Sequence, residues 1–312
     1  MATYDVPAAY QRLYSDGIQL IYQQLQSVFR GNTRYESDFV GKRKAYAQFA
    51  TIEMTKRKDL YENTDFTIPK YPMRAVFAQP YYSALPVDWM AQMNTSLDLA
   101  SPFMQSQRAA IERVYDDVCI SAFGSTAYQT DDTETDIATT LTSFQGTWDT
   151  ATGTEIIAYN RPTIGGQDNP NTGMGKAKLL RARTILNKNQ VPAADRYVVW
   201  TSTQEEDLLS TTEPTSRDFN VVQTLVEGTL GKTTWIGFKY LLSERLLVEA
   251  STSYRLCYAF HKEAILFAAQ KELMASVDRL PTRQNVWQHY VACSFGSARM
   301  QEAGVVQLKC AE

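Results

Sequence analysis

Histidine is nearly missing from this chain: of its 312 residues only His261 and His289 carry an imidazole. Two such residues leave little for imidazole catalysis or a histidine-rich metal site. Neither sits in a motif and no G-x-S-x-G elbow is present, so both are expected to be hydrogen-bonded or surface side chains. Cysteine is sparse as well. Cys119, Cys257, Cys293 and Cys310 lie far apart with no C-x-x-C pair, which predicts free buried thiols in a protein made in a cytoplasm. Glycine, at 15 residues, falls below the usual ~7% and offers little material for glycine-rich cofactor loops. A net charge of −3 lacks the positive balance of a dedicated nucleic-acid binder. Long hydrophobic runs are absent: the longest, Ala264–Ala269, is six residues against the roughly 20 of a membrane span. Residues 1–10 have neither a cationic start nor an apolar stretch, so no signal peptide is expected. The expectation is a soluble protein with no cofactor, no metal and no membrane partner.

What is present is a hydrophobic share of 44% with 21% charged residues, the balance of a folded globular protein. The length suits about two domains. Eighteen tyrosines and thirteen phenylalanines supply large packed surfaces. Leu13, Gly17, Leu20, Ile21, Gln24, Leu25 and Val28 recur at helical spacing, predicting an N-terminal helix that Gly31 ends. From Arg34 to Pro86 the period changes. Ala45–Met54 and Asp65–Pro80 read as the strands of a long hairpin arm. They are joined by a polar tip, Thr55–Thr64, carrying Lys56, Arg57, Lys58 and Asp59 and no apolar anchor. Pro69 and Pro72 confine the return strand to an edge. A lone hairpin is marginal in water, so the arm needs something to lie on. Ser101-Pro102 then opens the clearest helix, a cap residue followed by a first-turn proline. Phe103, Ala110, Ile111, Val114, Tyr115, Val118 and Ala122 follow at helical spacing and Gly124 closes it. Ile111 and Val118 are expected to meet a core.

Beyond Gly124 the composition shifts. Residues 125–154 hold eleven threonines in thirty positions, and Val114–Asn160 carries eight acidic and no basic residues. Arg30–Asp59 is the converse, with eight basic and four acidic residues. Opposite patches of this kind pair within a chain or between copies. A compact α/β stretch follows: helix Lys176–Asn187, strand Tyr197–Thr201, helix Gln204–Leu209, helix Phe219–Glu227 and strand Thr233–Tyr240. Thr203 and Glu206 stand at capping-box spacing. Further strands are expected at Leu256–Phe260, Leu266–Gln270, around Trp287–Phe295, and at Val305–Cys310. Two stretches graze a phosphate loop. Gly173-Met-Gly-Lys176 precedes a helix, but Ala177 replaces the metal-binding hydroxyl. Gly231-Lys232-Thr233 has the right ending, yet Val226 stands where the motif needs glycine. Both read as turns. The acidic run Asp131–Asp136 lacks the glycine and glutamate of a calcium loop and reads as solvated.

Chemistry runs out here without an active site. Four stretches remain: Arg74–Phe77 with Tyr81–Trp89 running into Ala100–Met104, Arg113–Gly124, Ala259–Ala268, and Gly296–Met300 with Gly304–Cys310. Together with the order of elements they resemble the major capsid protein of tailed double-stranded DNA bacteriophages. The resemblance implies an α+β chain with the Hong Kong-type phage capsid fold. Residues 1–44 would be an N-terminal arm and 45–86 an extended β-hairpin loop. A peripheral domain would span 87–175, with a spine helix at 101–124. An axial α/β domain would span 176–276, and residues 277–312 would return as strands to the peripheral domain. It implies a self-assembling subunit of the icosahedral head that encloses the genome. Its partners would be copies of itself in hexamers and pentamers, scaffolding, portal and decoration proteins, and packaged DNA held without sequence preference. The location would be the virion, assembled in the host cytoplasm. Lys56, Arg57, Lys58 and Asp59 are the candidates for contacts between subunits. Two alternatives stand beside this reading: an enzyme of unknown class, nucleotide-dependent through Gly231-Lys232-Thr233, and a cellular cargo shell of the same fold.

Overall fold

A computed structural model describes residues 22–37, 39–49, 51–56, 63, 66, 68, 71, 73–87, 100–125, 127–130, 139–141, 156–157, 173–211, 234–249, 254–283 and 285–310. Three sheets and three helices organise them. β1 (Arg34–Glu36), β2 (Arg43–Ala47), β3 (Met73–Phe77) and β4 (Gln79–Val87) precede the long helix α1 (Ala100–Gly124). β5 (Ala127–Thr130), β6 (Thr139–Leu141) and β7 (Ile156–Ile157) follow, then α2 (Lys176–Lys188), β8 (Arg196–Trp200) and α3 (Ser202–Thr211). β9 (Lys239–Leu242), β10 (Arg255–His261), β11 (Ile265–Leu280), β12 (Val286–Arg299) and β13 (Val305–Cys310) complete the order. The sheets run β1-β11-β12-β4, β7-β13-β10-β8-β9 and β2-β3-β5-β6. The chain divides into two compact units, one of residues 1–26, 80–114 and 273–293, the other of 27–79, 115–272 and 294–312.

The larger unit holds the core. β8 is buried at all five positions and β13 at all but Lys309, because each lies between strands in the five-stranded sheet. Such strands read as nearly continuous apolar runs rather than alternating ones. β10 is antiparallel to both, pairing Cys257 with Leu308 and Tyr258 with Val199. The C-terminal half of α1 packs in the same unit. Phe123 lies 4.9 Å from the Tyr258 ring and 4.8 Å from Phe260, and Tyr115 stacks on Phe267 at 3.7 Å. The aromatic excess of the sequence is spent here. The helix stops at Gly124, where a Cβ would stand 3.0 Å from the Tyr258 hydroxyl.

In the smaller unit the distal parts of β11 and β12 meet β4 and the first half of α1. Tyr82 stacks on Tyr290 at 6.1 Å, and Arg279 lies over Trp287 at 4.6 Å. Gln107, buried on the helix, donates to the His289 carbonyl at 3.1 Å. Ile111 is half-buried, unlike Val118 in the larger unit.

Several expectations change in three dimensions. Residues 22–28, the described part of the expected N-terminal helix, are not helical. The buried Asp116 carboxylate accepts the amides of Val28 at 3.2 Å and Phe29 at 3.4 Å together with the Ser27 hydroxyl. These tertiary partners replace intrahelical bonds, and Gly31, at φ +87°, makes a turn. Among the described residues the two limbs of the hairpin arm pair at its root, Arg43–Ala47 with Met73–Phe77, in antiparallel register from Arg43↔Phe77 to Ala47↔Met73. α3 starts at Ser202, which places Thr203 inside the helix. Glu244, from a distant turn, accepts the Ser202 amide at 2.7 Å in place of a capping box. Trp235–Phe238 forms a tight turn with positive φ at Ile236 and Gly237, so the strand expected at Thr233–Tyr240 begins only at Lys239. β11 runs 16 residues, far past Gln270. Residues 1–21, 131–136, 219–227 and 231–233 lie outside the described residues.

Candidate assembly interface

The arm is rooted in a buried charge cluster. Arg74 on β3 donates to Glu302 Oε1 at 2.9 Å, and Arg299 at the end of β12 donates to Glu302 Oε2. Arg299 also donates to the carbonyls of Phe123 at 2.6 Å and Ser125 at 3.0 Å, where α1 ends. A cation suits that helix terminus, whose last carbonyls lack intrahelical donors. All three charged side chains are buried. The strands are pressed close as well: a Cβ on Gly296 would fall 2.3 Å from the Phe77 carbonyl oxygen. Phe39, Val76, Ala78, Leu266, Ala268, Ala298 and Met300 form the apolar cluster around this root, with Tyr46 against it. Burial, then the charge of Glu36, pushes the Tyr46 hydroxyl up to about 12.

Beyond the root the arm changes character. The described residues between Ala47 and Met73 belong to no strand. Phe49, Ile52, Met54, Phe66 and Ile68 are exposed, Met54 completely so. Phe49 meets Tyr71 edge-on at 5.4 Å, joining the two limbs. Lys56 is exposed beside them, while Arg57, Lys58 and Asp59 lie outside the described residues. The limbs beside the tip thus carry exposed apolar side chains. Their signal was present in the run Phe49-Ala-Thr-Ile52-Glu-Met54, strand-like in pattern yet unpaired among the described residues.

The other candidates resolve into structure. Gly173 has no room for a phosphate, since the Asp207 carboxylate occupies the space where its Cβ would be, 1.5 Å away. Met174 donates its amide to Asp207, whose pKa is raised chiefly by burial. A carboxylate at this turn repels the anion that a phosphate loop attracts. His261 Nδ1 accepts the Glu263 amide at 3.2 Å and so caps the turn Lys262–Ala264. All four cysteines are buried thiols outside any disulfide. Lys178, also buried, donates to the Lys309 carbonyl at 2.9 Å and lies 4.0 Å from Cys310 Sγ. Burial holds its pKa below the usual lysine value. Among the described residues no group of three His, Cys, Asp or Glu side chains is placed to hold a metal. No described helix is long and apolar enough to cross a membrane.

The family model described as phage capsid protein matches residues 6–312. No curated protein matches the sequence. The capsid of the cyanophage P-SCSP1u is similar at 14% identity and a TM-score of 0.70, covering 98% of this chain and 94% of that one. The capsid of Ralstonia phage GP4 is similar at 12% identity and a TM-score of 0.70, covering 100% and 97%. The capsid of a native GTA particle is similar at 12% identity and a TM-score of 0.65, over all of both chains. At these identities the structural likeness is one of fold, and that fold is the mixed helix-and-sheet architecture of phage capsid proteins.

Proposed function

The chain belongs to the phage capsid protein family, and from that premise we propose how its surfaces build a phage head. It is a major capsid protein, and its work lies in contacts rather than catalysis. The observation that carries the mode of assembly is the arm: a root held by buried charge and packing, then limbs with Phe49, Ile52, Met54, Phe66 and Ile68 in water. Exposed apolar side chains concentrated on one projecting segment mark an interaction surface. In the assembled head the arm lies on a neighbouring copy, with the candidates Lys56, Arg57, Lys58 and Asp59 at that contact.

The domain reading carries over as part of this proposal. Residues 1–44 serve as the N-terminal arm, 45–86 as the extended loop, 87–175 with 277–312 as the peripheral domain, and 176–276 as the axial domain at the capsomer centre. Hexamers and pentamers then close into an icosahedral shell around double-stranded DNA. A net charge of −3 suits a lumen that tolerates DNA without reading it. Scaffolding, portal and decoration proteins complete the set of partners, and assembly takes place in the host cytoplasm.

Electron microscopy of the purified protein tests the proposal. Closed shells or ring-shaped capsomers are expected. Uniform monomers under all assembly conditions would overturn it.

A further inference from the structure

Cys257 and Cys310 share one face of the five-stranded sheet. Cys257 stands opposite Leu308 and Cys310 opposite Arg255, so the two are diagonal neighbours on β10 and β13. Both are fully buried, and the Cys257 thiol is hydrogen-bonded to Cys310. Lys178 on α2 reaches the same spot. Its side chain donates to Cys310 Sγ at 4.0 Å and to the neighbouring Lys309 carbonyl at 2.9 Å. Assembly through the arm makes no use of these three reactive groups.

The two thiols are not equivalent. The bond to Cys310, then burial, holds the Cys257 pKa well above the usual thiol value, although the charges of Lys178 and Arg255 pull it down. Cys257 therefore keeps its proton and donates it. Cys310 Sγ receives two donors, the Cys257 S–H and the Lys178 nitrogen, and such bonds favour a thiolate. Burial holds Lys178 below the usual lysine value, so its amine is a proton acceptor beside that sulfur. Cys310, Cys257 and Asp207 are the titratable groups that face the amine. The remaining cysteines lack this setting. Burial, then the charge of Asp116, holds Cys119 well above the usual thiol value, and burial pushes Cys293 up to about 11.

We propose that Cys257 and Cys310 are a thiol switch, which hydrogen peroxide closes into a disulfide that pins the end of β13 to β10. Lys178 takes the Cys310 proton. The thiolate attacks one peroxide oxygen: the S–O bond forms, the O–O bond breaks, and the departing hydroxide takes the Lys178 proton as water. Cys257 sulfur then attacks the Cys310 sulfenic acid. The S–S bond forms, the S–O bond breaks, and the Cys257 proton leaves with that oxygen as a second water. Diagonal neighbours stand roughly 7 Å apart at Cα, the upper limit of a disulfide's span. The end of β13 is the part that can give. Its outer neighbour β7 pairs only at Gln307 and Leu308, so among the described strands β10 alone holds Cys310. Local opening at such a strand end admits an oxidant the size of water. The chemistry goes beyond the capsid reading and only its timing rests on it: a head built in a reducing cytoplasm meets oxidising surroundings after release.

The test treats wild-type protein with hydrogen peroxide, alkylates the remaining thiols on denaturation and maps tryptic peptides without reduction. The peptide Leu256–Lys262 joined to the one that starts at Cys310 is expected, disappearing on reduction, with Cys119 and Cys293 still alkylated. Four alkylated cysteines would overturn the proposal. So would Cys310 bonded to Lys178, or Cys119 and Cys293 oxidised as fast as the pair. Cys257→Ser should halt Cys310 at the sulfenic acid, which dimedone traps; dimedone on Cys257 in Cys310→Ser protein would instead overturn the assigned order. Lys178→Met should slow closure roughly a hundredfold at neutral pH and move the rise of the rate to higher pH. An unchanged pH profile would overturn the lysine's role. Microscopy of shells decides the capsid reading separately, and none of these outcomes touches it.

Discussion

Glu302 is the residue on which the most structure converges. It sits between Arg74 and Arg299, so the root of the arm, the end of α1 and the last hairpin share one buried carboxylate. Removing one partner of a buried ion cluster strands the remaining charges in low dielectric. Glu302→Ala is therefore expected to destabilise the subunit by about 3–5 kcal/mol, read as a lower denaturant midpoint. Glu272→Ala is the control, because its pair with Arg30 is 41% and 48% exposed and is screened by water. That variant should cost no more than about 1 kcal/mol. Equal losses in the two variants would mean that the cluster does not hold the root.

α1 behaves as two helices in sequence within one element. Over its 25 residues, about 37 Å of axis, the part after Val114 buries Tyr115, Asp116, Val118, Cys119, Ile120, Ala122 and Phe123. Before it, Gln107 and Ala109 are the buried positions among those whose burial is described. Helical periodicity reports the shared face of Ile111 and Val118 but not how deeply each is covered. Phe123→Ala should cost about 3–5 kcal/mol by leaving a cavity beside Tyr258 and Phe260. Ile120→Asp should prevent soluble folding, since it buries an unpaired carboxylate. Ile111→Asp, at a half-buried position, should leave a folded subunit with native circular dichroism. An unfolded Ile111→Asp protein would show that the first half of the helix is core.

At the scale of the whole molecule, an arm that serves as a contact surface is exposed in separate subunits and covered in shells. Lys56 is exposed next to Met54 and Thr55. Trypsin should cut after Lys56 among the first sites in separate subunits and far more slowly in assembled shells, where a neighbour covers it. Raised salt should speed cleavage in the shells if charge contributes to the contact, because exposed pairs are screened over ~8–10 Å at physiological ionic strength. Equal cleavage rates in the two forms would remove the arm from the assembly interface.

Residue order alone determined much of this protein. Residues 103–124 announce the long helix because a repeating face and a closing glycine are local signals, although the helix begins at Ala100 and so places Ser101 inside it rather than at its cap. The helix expected at Lys176–Asn187 and the strands expected at Leu256–Phe260 and Val305–Cys310 were legible for the same reason, each within one residue of its observed ends. The family resemblance was legible too, because short stretches kept their order along the chain. Tertiary structure decided the rest wherever a distant partner won over a local preference. Asp116 draws residues 27–29 away from helix, and Glu244 takes the place of a local cap on α3. β11 continues past Gln270 because β12 supplies its hydrogen bonds, although its side chains there stand in water. The meeting of Arg74, Arg299 and Glu302 spans 228 residues of sequence, and no spacing rule reaches that far. Charge pairing and strand pairing act through space, so the root of the arm became visible only in the folded chain.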